Sequence, residues 1–434
     1  MRLIQLSDIH LSQDNISTLK NYYLDALKKD LSKFHNETPV DLILITGDLI
    51  DKGGESFQDK DPYQIFEREF IEPLLQQLSL TKDKVLFIPG NHDIERNEVE
   101  ETYEEGLLTK LKTVDAVNNQ VDKQTSTFSL ANNRIKRFKE FEKQYHRNTA
   151  NYHLTNNESV FVYENDGVKI GLLLINDSWR CSKDLKTENH VIGINQLFNA
   201  KMIFDQSKTT INLVLFHHPI DCISEIERQE IKNILQKFDF ELVLCGHKHR
   251  FNFEGSSGIN GNVVFLNSKS AFNNPREENG THQPGYSIID IDTNTLSLTC
   301  YFRAYMKGRY EFDKDTSSSE NGEWKGKLIA RGEKKNYYDL YELATKTVTS
   351  HQDDFNNALV IFKTNSIAPK DVNSIFVLPK LTDKPTTFGT FEDLKRYSLS
   401  ELILDERHIL LFGNKEAGKS TLLKVLAGVL PFTG

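Results

Sequence analysis

The stretch Glu241–His249, ELVLCGHKH, sets an apolar run of strand length directly in front of a Gly-His-x-His cluster. The run is rich in Leu and Val and too short for an ordinary helix, so it reads as a strand buried on both faces. The same design recurs along the chain. It appears in RLIQLSDIH (Arg2–His10), DLILITGDLID (Asp41–Asp51), KVLFIPGNHD (Lys84–Asp93), KIGLLLIND (Lys169–Asp177) and INLVLFHHP (Ile211–Pro219). Helical patterns separate these runs, which predicts an α/β protein whose sheet is covered on both faces. In open α/β sheets ligands collect outside the carboxyl ends of the strands. The polar residues that close each run are therefore the candidates for chemistry.

Those residues are Asp8 and His10, Asp48, Asn91 and His92, His217, and His247 and His249. One Asp-x-His pair could simply be solvated or cap a helix. Five clusters of Asp, Asn and His, each closing a buried strand, call for cations, because burying so many ionisable groups uncompensated is costly. Mixed oxygen and imidazole donors suit manganese, with iron or zinc as the other borderline ions. The lack of cysteine ligands argues against a structural zinc. The donors are too many for one ion and fit two, bridged by a shared carboxylate. A metal pair about 4 Å apart is a standard device for hydrolysing phosphate esters.

Asp-x-His, Gly-Asp-x-x-Asp, Gly-Asn-His-Asp, a strand-terminal His and Gly-His-x-His, in this order, resemble the calcineurin-like metallophosphoesterase superfamily over residues 1–305. The resemblance implies a four-layer α/β fold, a two-sheet β-sandwich flanked by helices. It implies that Asp8, His10 and His249 hold one metal, that Asn91, His217 and His247 hold the other, and that Asp48 bridges them. It gives His92 the role of protonating the leaving oxygen or steadying the phosphate, a task suited to a group titrating near working pH. Asp51 falls where members often carry an acid that orients this histidine, although an exposed helix-capping Asp would look the same. Of the HHP pair, His217 ends the strand and is the ligand candidate, while His218 is expected to be structural. Lys52 stands where some members carry Arg, which separates the chain from the protein phosphatases that use it.

The remaining composition narrows the function. A formal net charge of -9 over 434 residues argues against a broad basic surface wrapping nucleic acid. The four cysteines are widely spaced, with no CxxC pair, and read as reduced thiols. The start MRLIQLSDIH lacks a signal-peptide core and no apolar run approaches about 18 residues, so a cytoplasmic protein without membrane partners is expected. Residues 95–155 form a polar helical insertion directly after His92. In it Ile135, Phe138, Phe141 and Tyr145 share one helical face among Arg134, Lys136, Arg137 and Lys139. That helix is either a lid over the site or an insertion packing its stripe on the core. RIKRFK could supply a nuclease with basic and aromatic contacts, whereas a small-nucleotide hydrolase would not need them. Nucleotides and nucleic acid therefore both stand as phosphate-ester substrates. A non-catalytic scaffold module would need neither His92 nor the full donor set.

Residues 306–400 read as a hairpin and linker, including the polar tract DKDTSSSENGEWKGK. Residues 401–434 read as the opening of a P-loop NTPase domain. GNKEAGKS, Gly413–Ser420, follows the strand-like HILLF and precedes STLLKVLAGVL. Gly413 and Gly418 would shape the phosphate nest, Lys419 would reach the terminal phosphates, and Ser420 with Thr421 would open the helix and reach magnesium. The unit resembles the start of signal-transducing ATPases of the NACHT type, which implies an effector enzyme joined to a nucleotide switch. ATP or GTP with magnesium would bind only in a completed domain, and self-assembly would run through regions beyond residue 434. A free-standing nucleotide or cyclic-nucleotide phosphodiesterase is the alternative.

Overall fold

The structure is a computed structural model that describes residues 1–328, apart from 166, 184, 259–260 and 276–281, together with 381–382 and 396–397. Two compact units divide the chain, Met1–Arg331 and Gly332–Gly434. In the second, Leu381–Thr382 pairs antiparallel with Arg396–Tyr397. The candidate phosphate-loop residues Gly413, Gly418, Lys419, Ser420 and Thr421 lie outside the described residues.

The first unit contains two sheets, each of seven strands among the described residues. One sheet holds β1 (Arg2–Leu6), β2 (Leu42–Thr46), β3 (Val85–Ile88), β11 (Gly285–Ile291), β12 (Ser297–Met306), β13 (Glu311–Lys314) and β14 (Glu323–Lys327). The other holds β4 (Tyr152–Leu154), β5 (Ser159–Asn165), β6 (Val168–Leu174), β7 (Ile211–Leu215), β8 (Leu242–Cys245), β9 (Asn252–Gly258) and β10 (Gly261–Asn267). β1, β2 and β3 run parallel, as do β6, β7, β8 and β10, and the remaining pairs are antiparallel.

Period-two alternation explains the layering. Leu42 and Leu44 face the other sheet, packing with Leu172, Leu174, Leu213, Leu215, Leu242 and Leu244. Ile43 and Ile45, between them in sequence, face the helices on the outer side. Every residue of β2 is buried, which is why the run is continuously apolar rather than alternating. On the outer face of the first sheet lie α1 (Ile16–Thr18), α2 (Leu24–Glu37), α3 (Pro62–Phe66) and α4 (Glu72–Leu78). The insertion contributes α5 (Glu101–Lys110), α6 (Val114–Gln124) and α7 (Lys136–Tyr145), and α8 (Asn195–Ser207) with α9 (Glu225–Lys237) covers the second sheet. Helix, sheet, sheet and helix thus stack in four layers.

The apolar stripe of α7 resolves one open reading. Phe141 stacks on both Phe87 of β3 and Tyr63, with centroids 5.1 Å apart in each case. Phe138 and Tyr145 meet Phe87 edge-on. The stripe packs on the core and does not form a lid.

Candidate metal centre

Asp8, His10, Asp48, Asn91, His217, His247 and His249 all sit on loops that leave the carboxyl ends of β1, β2, β3, β7 and β8, and these loops are stitched together by main-chain bonds. Asp8 N donates to Gly47 O at 3.0 Å, His10 N to Asp48 O at 2.9 Å, and Gly246 N to His217 O at 3.0 Å. Asp8, His10, Asp48, His247 and His249 all adopt left-handed backbone angles, with φ between 49° and 66°. Each such residue costs of order 1–3 kcal/mol unless its surroundings over-determine it, and such strain concentrates at functional sites. Two glycines make the approach possible. A Cβ on Gly90 would lie 2.2 Å from Asp48 Oδ1, and one on Gly246 would lie 2.0 Å from Ser7 Oγ.

The side chains converge. Donor atoms of Asp8, His10 and His249 lie within 4.8 Å of one another, as do those of Asp8, Asp48 and His217. Asn91 Oδ1 is 3.1 Å from His217 Nε2 and 2.9 Å from His247 Nδ1. His249 Nε2 is 3.0 Å from Asp8 Oδ1. Asp48 lies between the two groups, its Oδ2 3.6 Å from His10 Nε2 and 3.4 Å from His217 Nε2.

This arrangement fits cations. His10 is fully buried, yet among the described residues neither ring nitrogen has a hydrogen-bond partner. His217 Nδ1 is 2.9 Å from Thr46 O, which fixes the proton there and turns the Nε2 lone pair toward Asp48 and Asn91 oxygens. Acceptors then face acceptors, a configuration that is stable only with positive charge between them. Burial pushes His10 down to about 4, against the pull of Asp48. Burial also disfavours the His217 cation, but the Asp48 carboxylate overcomes it and pushes the group up to about 10.

Residues 1–251 match the family described as calcineurin-like phosphoesterase. The chain belongs to that family. Members are metal-dependent phosphoester hydrolases that usually bind two divalent metals. The chain is 24% identical over 312 residues to the metallophosphoesterase-like protein YydB of Bacillus subtilis, covering 69% of this chain and 59% of the relative. A probable cyclic nucleotide phosphodiesterase of Vesicomyosocius okutanii is 32% identical over 108 residues, covering 25% of this chain and 40% of the relative. The chain therefore spans about half the length of the curated relatives it matches. A dimetal phosphatase structure from Danio rerio aligns at 12% identity with a TM-score of 0.39, covering 72% of this chain and 98% of that one.

In this calcineurin-like phosphoesterase, His92 stands beside the donors. Its backbone N–H donates to Asp48 Oδ1 at 2.7 Å, and its Nδ1 lies 2.7 Å from Asp51 Oδ1. Asp51 accordingly points into the site rather than out to solvent. Burial works against the His92 cation, but the charges of Asp48 and Asp51 more than offset it and raise the group above its ordinary value.

Two supporting residues of the phosphoesterase site were quoted within motifs yet given no role. Asp93, next to His92, turns the other way, and its carboxylate accepts the N–H groups of Leu49, Ile50 and Gly90. It ties the GDLID loop to the GNHD loop. Asp177 closes the run after β6 and accepts the His218 N–H at 2.7 Å. A carboxylate at a strand end was the available signal for both, but the pattern does not say which way it points.

Three basic residues of the insertion are held by acidic partners. Arg134 is fully buried, pairing with Glu104 and donating to Cys181 O at 2.8 Å. Lys139 is buried against Glu142 and Ser159, and Arg137 faces Glu95 at 3.6 Å. Among the described residues no helix is long and apolar enough to cross a membrane.

Proposed function

We propose that the chain hydrolyses phosphodiesters of small nucleotides, with two divalent ions held by Asp8, His10 and His249 on one side, Asn91, His217 and His247 on the other, and Asp48 between. The observation that carries this reading is the buried His10 with two unpartnered nitrogens beside acceptors that face acceptors around His217. When bound, the ions would supply charge for the phosphoryl oxygens and an activated water. The chain's own contribution is positional. Asp51 holds Nδ1–H of His92, so Nε2–H is free to donate a proton to the departing oxygen. The His92 backbone N–H keeps Asp48 in one orientation.

A small nucleotide is favoured over nucleic acid because Arg134 and Lys139 of RIKRFK are consumed in buried ion pairs. The match to a probable cyclic nucleotide phosphodiesterase supports the same choice. Gating by a completed C-terminal nucleotide-binding domain is a second part of this proposal and rests on the sequence Gly413–Thr421 alone. Manganese-dependent turnover of cyclic nucleotides, a bis-aryl phosphodiester and single-stranded DNA tests the substrate class. Cyclic-nucleotide turnover well above DNA turnover is expected, and the reverse ranking would overturn the small-nucleotide reading.

A further inference from the structure

We propose that Cys181, His190 and His218 form a further cation site, of the class that takes zinc, packed against the His/Asp/Asn centre, which it adjoins at His218. The Cys181 Sγ lies 3.9 Å from both His190 Nε2 and His218 Nε2. A tetrahedral zinc with bonds of about 2.3 Å to sulfur and about 2.0 Å to nitrogen places those atoms about 3.5 Å apart, so closing the site needs shifts of a few tenths of an ångström. All three residues are at most 5% exposed.

Each histidine already has an oxygen beside the nitrogen that would not bind the ion. His218 Nδ1 is 3.3 Å from Asp177 Oδ2, and His190 Nδ1 is 3.2 Å from Cys222 O. With a proton on each Nδ1, both Nε2 lone pairs converge on Cys181. In the thiol form the sulfur hydrogen can serve one Nε2 while the other, on His190, turns to Asp177 O. A divalent ion with the thiolate satisfies all three donors, the thiol proton passing to solvent. In the metal-free ring, His190 Nε2–H can instead donate to Asp177 O, 2.7 Å away. His190 thus has a carbonyl on each side and can hold its proton on either nitrogen. Charge also balances, since the thiolate and the fully buried Asp177 carboxylate together offset a divalent ion.

The site ties the connection between β6 and α8, which carries Cys181 and His190, to the HHP loop. The His218 ring stands 4.7 Å from that of His217 and 4.4 Å from that of His247. An ion here would brace two of the proposed ligands without contacting substrate.

The donors of the main centre are all nitrogen and oxygen, so sulfur chemistry reports this site alone. The full chain is stripped with chelator and reloaded with cobalt. A near-ultraviolet thiolate-to-cobalt band is expected, and zinc should erase it. X-ray absorption of the zinc-loaded chain should show one sulfur neighbour at about 2.3 Å. Cys181→Ser should lose the band and one metal equivalent, whereas Cys222→Ser and Asp48→Asn should keep the band. A cobalt-saturated chain with no thiolate band, or a band surviving in Cys181→Ser, would overturn the proposal. The absorption measurement needs no variant, so a misfolded Cys181→Ser would not shield it.

Discussion

The core between the sheets and the loops that leave it are built from the same strands on opposite principles. In β2, Leu42 and Leu44 sit in regular extended backbone, fully buried among other leucines. Two residues past the strand, Asp48 takes φ 54° and meets His10 and His217. Burial dominates in the first region. In the second, strain and charge accumulate, and the packed strands keep the loops from relaxing. A rigid apolar layer is what allows a costly polar one to exist beside it, and this division can be tested from both sides.

The largest effect is expected from Asp48→Asn, which weakens the proposed bridge between the two donor groups. Manganese-dependent kcat should fall by about 10³-fold or more, because the stabilisation at stake is several kcal/mol. The metal-free melting temperature should stay within a few degrees of wild type. If more than a tenth of the activity remained, the bridging assignment would be wrong. Next comes His92→Ala, with a loss of about 10²–10⁴-fold on substrates with poor leaving groups. A nitrophenolate leaving group needs little protonation, so the loss there should be much smaller, and equal losses on both would remove the acid role.

Leu44→Ala probes the other region. It should cost about 2–5 kcal/mol in urea unfolding through the cavity it leaves, while the metal content per folded chain holds. A variant that keeps its stability but loses its metals would break the division between the regions. The smallest effect belongs to Asp51→Asn. His92 is raised despite burial by the charges of Asp48 and Asp51, so it stays protonated as pH climbs past the ordinary histidine value. Activity that depends on the protonated acid is lost as pH rises through that raised value. Removing the Asp51 charge should move the alkaline limb of kcat to lower pH by about 0.5–1 unit. An unmoved limb would mean that Asp51 does not act through His92.

The apolar runs ending in polar residues were readable because strand length and continuous burial leave a local imprint. The site donors at the ends of β1, β2, β3, β7 and β8 follow from that imprint, and the structure brings all of them together. Direction was less readable. His92 and Asp93 are neighbours, yet one faces Asp51 at the site and the other holds the backbone of Leu49 and Ile50. The stripe on α7 was visible, but its partner Phe87 is chosen by distant parts of the chain, so lid and core packing could not be separated locally. The Cys181 cluster left no trace because Cys181 and His190 of the β6–α8 connection meet a distant His218 and the three share no regular spacing.

The order of strands in the first sheet bears on how the protein is made. β1 lies between β2 and β11, so Arg2 pairs with Asp290, a separation of 288 residues along the chain, and Asp8 reaches His249 across 241. Closures that long carry a large loop entropy and slow the search. On the ribosome, β1 can meet β2 early, yet its other edge stays open until residues near 291 emerge, and Asp8 waits nearly as long for His249. The proposed metal ligands would therefore be completed late in synthesis, and until then an unpaired strand edge is open to the wrong partner.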